Sequence, residues 1–136
     1  MCYIVTSEDA PVLRDFQEFL DEYFDVCAKE WLENDNILLT DNRGNFAAFE
    51  NQKEGIFRGH YFFKDRGKEA IAASTEFLKE VFNIESVKTI VGLTPISHLG
   101  ARWLSKKIGF STQGVIHTEI GPCELFSLTR REWENR

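Results

Sequence analysis

An α+β fold, a mixed sheet with helices on its faces, is the architecture this sequence predicts, and three observations carry the prediction. Segments of helical and extended patterning alternate in the order helix, three strands, helix, strand, helix, two strands. The central strand-helix-strand-helix unit requires a crossover that brings two parallel strands side by side. A chain of 136 residues that is 43% hydrophobic suits one core and leaves little room for two, so a single domain over residues 1–136 is expected.

Taken in order, Val12, Leu13, Phe16, Phe19, Leu20, Tyr23 and Cys27 recur at helical spacing. Asp15, Glu18, Asp21, Glu22 and Asp25 occupy the opposite side, which predicts one long acidic helix or two short ones. Asn36 to Thr40 and Asn45 to Glu50 flank Asp41-Asn42-Arg43-Gly44 and read as a hairpin, and the aromatic run Gly55 to Phe63 reads as a third strand. The stripe Ala70, Ile71, Ser74, Phe77, Leu78, Val81, Phe82 predicts a helix from Gly67 to Phe82. Val87 to Leu93 is a short apolar strand of the kind covered on both faces. A helix follows through Thr94-Pro95-Ile96-Ser97, with Ser97 the expected N-cap. In His98–Phe110 the apolar stripe Ala101, Leu104 and Ile108 should face the sheet, leaving Arg102, Lys106 and Lys107 solvated. Gly109 should close this helix in the left-handed conformation with Phe110 folded back on the last turn. Two strands, near Thr112 to Ile120 and Glu124 to Thr129, are separated by Gly121-Pro122.

Charge and composition narrow the function. A net charge of −6 disfavours nucleic acid and anionic membrane as partners, so an anionic ligand must be held by a local basic site. Cys2, Cys27 and Cys123 are widely spaced and lack paired spacing, which reads as free thiols with no metal site. With neither a membrane-length apolar run nor a signal-peptide pattern in MCYIVTSEDA, a cytoplasmic location is expected. One local basic site is evident. Lys64, Arg66 and Lys68 surround Gly67 where a helix begins, and backbone N–H groups with the positive dipole end favour a phosphate there. A solvated helix start carries the same residue types.

These segments resemble the GCN5-related N-acetyltransferase (GNAT) superfamily. Lys64-Asp65-Arg66-Gly67-Lys68-Glu69 stands where the family has its pyrophosphate loop, Gln/Arg-x-x-Gly-x-Gly/Ala. His98, Ala101, Leu104, Ser105, Ile108, Gly109 and Phe110 fall in register with the downstream helix Asn-x-x-Ala-x-x-Leu-Tyr-x-x-Leu-Gly-Phe. Glu124 to Trp133 resembles the end of small phage-encoded members, which include head-assembly proteins. The resemblance implies a mostly antiparallel sheet with helices on both faces and acetyl-CoA as co-substrate. It places Phe63, Lys64, Arg66, Gly67, Lys68, His98 and Ala101 at the cofactor. It also implies transfer of acetyl to a small-molecule or protein amine, with the acidic N-terminal helix flanking the acceptor entrance.

Catalysis needs a neutral amine, an N–H aimed at the thioester oxygen and, in the family, a tyrosine that protonates sulfur. The strand Gly55 to Phe63 would supply the N–H; His60, or Glu54 at the start of that strand, is the candidate base. Ser105 occupies the tyrosine position and His98 the asparagine position; a serine hydroxyl is a poor acid for a thiolate, and His98 is the other candidate donor. Together with Glu69, these departures leave a second reading open. In it the chain is a GNAT-shaped binding or phage head-assembly factor without catalysis, whose partner is a virion protein.

Overall fold

The computed structural model describes residues 2–23 and 25–136; the Tyr23 side chain, expected in the first helical stripe, lies outside the described residues. In chain order the elements are β1 (Tyr3–Ile4), α1 (Ala10–Tyr23), α2 (Ala28–Glu33), β2 (Ile37–Thr40), β3 (Phe46–Lys53), β4 (Ile56–Phe62), α3 (Gly67–Phe82), β5 (Thr89–Pro95), α4 (Leu99–Lys107), β6 (Ser111–Thr118), β7 (Gly121–Thr129) and α5 (Arg130–Glu134). The strands form one seven-stranded sheet in the order β1-β2-β3-β4-β5-β7-β6. Every pairing is antiparallel except β4 with β5, which α3 joins as a crossover. This is the α+β class that the patterning predicts.

Alternation along the strands divides the core between the two faces. Leu39, Ala47, Phe49, Phe57 and Ile90 meet Phe77, Leu78 and Val81 of α3, while Leu38, Phe46 and Ala48 meet Phe16, Leu20 and Trp31 of α1 and α2. The acidic segment resolves into two helices, and Gln17 pins their junction. Its Oε1 accepts from the Ala28 N–H at 2.7 Å and its Nε2 donates to the Val26 carbonyl at 3.0 Å.

The structure corrects several local expectations. β1 has two residues, too few to show a periodicity. α5 is a single turn nucleated by a capping box, in which the Thr129 hydroxyl accepts from the Glu132 N–H and the Glu132 carboxylate from the Thr129 N–H. The last hairpin turns ahead of Pro122, at Gly121 with φ +108°, so that Gly121-Pro122 begins β7. His98, not Ser97, is the N-cap of α4, and its side chain makes no capping bond. Ala101 is exposed, so the face that α4 turns to the core is carried by Leu104 and the following Ile108 alone. Nor is Arg102 solvated, because its Nε donates to the buried Glu124 carboxylate at 2.7 Å. The end of α4 is as the sequence predicts: Gly109 has φ +105°, the Phe110 N–H reaches the Ser105 carbonyl and the Gly109 N–H that of Lys106, a complete Schellman motif.

Candidate active site

The parallel pair β4–β5 stays in register only over Ile56–Thr89, Phe57–Ile90 and Arg58–Val91. Beyond it both strands continue but follow different partners: β4 remains on β3 as far as Phe62–Phe46, and β5 remains on β7 as far as Pro95–Cys123. The sheet therefore splits between the C-terminal halves of its two central strands. The first positions past the split are both glycine, Gly59 and Gly92, so no side chain is attached at its apex. Since the Gly55 carbonyl accepts from the Lys88 and Thr89 N–H groups, strand alternation turns Gly59 and Tyr61 toward β5; the Arg58–Val91 rung takes the Gly59 N–H, which leaves the Gly59 carbonyl and the Tyr61 N–H facing this opening. An extended chain entering there would find one strand-edge acceptor, the Gly59 carbonyl, and one donor, the Tyr61 N–H, in place of β5.

At the end of β4, the loop into α3 is built on Asn45, which sequence reasoning did not single out. Asn45 is fully buried; its Oδ1 accepts from the Lys64 N–H at 2.9 Å and the Asp65 N–H at 3.2 Å. Its Nδ2 donates to the Asp41 and Asp65 carboxylates at 2.8 Å each. The Asp65 carboxylate also lies 3.3 Å from the Arg43 guanidinium, so its charge is directed into the β2–β3 turn and away from the helix start. Arg66 folds back, donating from Nη1 to the Phe63 and Asp65 carbonyls at 2.6 and 3.0 Å. Gly67 opens α3 at φ +60°, and a Cβ there would meet nothing within 4 Å. Lys64 and Lys68 are exposed beside this open helix terminus, the arrangement a phosphate needs. The Phe63 ring packs on Tyr61 and Phe77.

On the α4 side, His98 and Ala101 are exposed, while Ser105 donates its hydroxyl to the Ala101 carbonyl at 3.0 Å, a bond internal to the helix. Glu124 on β7 anchors α4 to the sheet. Besides Arg102 it accepts from the Thr112 hydroxyl at 2.6 Å, and these two bonds hold its carboxyl below the usual range.

His60 lies on the opposite face of β4, toward α1 and α2. Its Nε2 is 3.6 Å from the Glu50 carboxylate, diagonal to it across β3–β4. Burial lowers the His60 pKa and the neighbouring Arg58 charge lowers it further, against the opposing pull of Glu50, so the imidazole is neutral near pH 7. Glu50 also lines a cleft of about 410 Å³ bounded by Asp25, Val26, Trp31, Asn36 and Asn51. His60 and the phosphate-binding candidates thus sit on one strand and the loop that leaves it. His98 and Ser105 belong to the helix that follows the other strand of the split.

No family model matches the sequence, nor does any curated protein, but solved structures resemble the fold over nearly its whole length. Aminoglycoside acetyltransferase AAC(6')-Ib in complex with coenzyme A and kanamycin superposes with a TM-score of 0.69 at 17% identity, covering 99% of this chain and 97% of that one. The ribosomal-protein-S5-alanine acetyltransferase from Vibrio fischeri gives 0.68 at 11% identity over 97% and 93%. A chimera of the spermidine N-acetyltransferase SpeG from Vibrio cholerae and hSSAT gives 0.74 at 11% identity over 100% and 99%. Across these likenesses the acceptors differ and the architecture persists; the fold of this chain is the GNAT acetyltransferase fold.

Proposed function

We propose that the chain is an acetyl-CoA-dependent N-acetyltransferase. The observation that carries the reading is the split between β4 and β5, which joins the open N-terminus of α3 to the neighbourhood of His60. Acetyl-CoA supplies an activated acyl group. Backbone N–H groups of Gly67 and Lys68, with the Lys64 and Lys68 ammonium groups, would hold its pyrophosphate, and Arg66 keeps the loop in shape through the Phe63 and Asp65 carbonyls. The β4 edge at Gly59 and Tyr61 would hold the pantetheine arm and receive the thioester oxygen. His60, neutral and oriented by Glu50, would take the proton of the attacking amine from the α1–α2 side.

Asp25 and Glu50 in the cleft, and Asp15, Glu18, Asp21 and Glu22 exposed on α1, favour a cationic acceptor, small molecule or protein amine. The neighbours named above, which act on aminoglycosides, a ribosomal-protein alanine and spermidine, support an amine acceptor. Isothermal titration with acetyl-CoA, followed by thiol release assayed with a panel of cationic amines, tests the reading. Lys68 makes no hydrogen bond or ion pair among the described residues, so Lys68→Glu should weaken acetyl-CoA binding at least tenfold and leave melting unchanged. An unaltered dissociation constant overturns the phosphate site.

One observation favours the second reading, a GNAT-shaped binding or head-assembly factor: Ser105 stands at the tyrosine position with its hydroxyl committed to the Ala101 carbonyl. Saturable binding of acetyl-CoA without thiol release to any amine would select it.

A further inference from the structure

Ser105 turns its hydroxyl into its own helix, whereas Tyr61 places one at the apex of the split. The Tyr61 ring leans back along β4, so that an ideal Cβ on Gly59 would lie 3.4 Å from the phenol oxygen and 3.4 Å from Ile90 Cγ2 on β5. The hydroxyl therefore sits above the last paired rung, on the α3 face, where the two strands part. Its ring is fixed by Phe49 at 6.0 Å and Phe63 at 5.6 Å between centroids, both close to edge-on. The oxygen exposes less than 1 Å² and has no hydrogen-bond partner among the described residues. A buried hydroxyl without a partner is costly, and phenylalanine would fill the same space without that cost. Its presence calls for a partner that arrives with a ligand.

We propose that Tyr61 is a catalytic residue, donating its phenolic O–H to the thioester oxygen of acetyl-CoA as charge develops there. The proposal rests on the acetyltransferase reading. When the amine nitrogen bonds to the carbonyl carbon, the C=O electron pair moves onto oxygen, where the Tyr61 O–H and the β4 amide edge receive it. The pair returns as the C–S bond breaks, sulfur departs as thiolate, and the amine proton goes to His60. Tyr61 keeps its own proton throughout. Burial raises its pKa, which suits a donor that must stay protonated and unsuits it as the acid for a thiolate. This role differs from the sulfur-protonating tyrosine that the sequence lacks on α4.

The test compares wild type with Tyr61→Phe by three measurements. The variant should melt at the same temperature or higher, since no protein hydrogen bond is lost, and should still bind acetyl-CoA, with a dissociation constant raised no more than about tenfold, the worth of one hydrogen bond. Its kcat should fall on the order of 10²-fold, the usual effect of removing one such donor, a far larger change than that in KM for acetyl-CoA and with no change in the pH profile. Isotope-edited infrared spectra of bound acetyl-CoA, labelled with carbon-13 at the thioester carbonyl, should show a lower carbonyl frequency in wild type than in the variant. Equal frequencies and equal kcat overturn the role of Tyr61 and leave the acetyltransferase reading standing. Failure of wild type to bind acetyl-CoA overturns both.

Discussion

Replacing Asn45 tests whether the loop proposed to bind phosphate is held from outside itself. The side chain makes four hydrogen bonds, two received from the Lys64 and Asp65 N–H groups and two given to the Asp41 and Asp65 carboxylates. At about 1 kcal/mol net apiece the sum is about 4 kcal/mol. Asp41 and Asp65 are partly exposed and recover water on truncation, which brings the expected cost of Asn45→Ala to about 3 kcal/mol. For a domain of this size that is a fall in Tm of roughly 10 °C. Asn45→Asp keeps the acceptor oxygen but sets a third carboxyl against Asp41 and Asp65, which raises the carboxyl pKa of the folded state above that of the unfolded chain. Stability from such a group is present below the unfolded pKa and lost as pH rises through the folded one. The Asp variant should therefore approach wild type near about pH 4 and fall to the level of the Ala variant at neutral pH. Thermal unfolding followed by circular dichroism at both pH values decides the matter. An Ala variant melting within about 2 °C of wild type, or an Asp variant with the same deficit at both pH values, would refute the reasoning.

Three further outcomes are expected. The Glu124 carboxyl is held low by Thr112 and Arg102, so the stability it contributes is present above its unfolded pKa and lost as pH falls through the folded value. Glu124→Gln should cost about 2 kcal/mol at neutral pH and flatten the acid limb of a stability–pH curve; an acid limb identical to wild type would count against the anchor. Ser105→Tyr should raise kcat for thiol release if departure of the thiolate limits turnover, and an unchanged kcat with intact acetyl-CoA binding would show that protonation of sulfur is not limiting. Cys27 is exposed whereas Cys2 and Cys123 are buried, and burial with the nearby Glu80 and Glu76 charges pushes the Cys2 thiol up to about 11. A thiol-reactive disulfide reagent should thus label Cys27 quickly in the native protein and the other two only on unfolding; rapid labelling of Cys2 would contradict its burial.

What could be read from the sequence is what short-range rules decide. Gly67 and Phe82 bound α3 as its 3.6-residue stripe requires, and Gly109-Phe110 ends α4 with the bonds that a glycine C-cap forms. The hairpin around Asp41–Gly44 and the parallel crossover followed from turn chemistry and element order in the same way. The Lys64, Arg66, Gly67 and Lys68 cluster was visible because its members lie within five positions of one another. Tertiary structure alone decided the rest. Asn45 reaches Asp65 across 20 positions, Arg102 finds Glu124 across 22, and Glu50 approaches His60 only because β3 and β4 pair in one register. The split on which the proposed site rests arises because β4 follows β3 and β5 follows β7 after Arg58–Val91. Such a divergence depends on long-range pairing partners and their twist, and it leaves no periodicity along either strand.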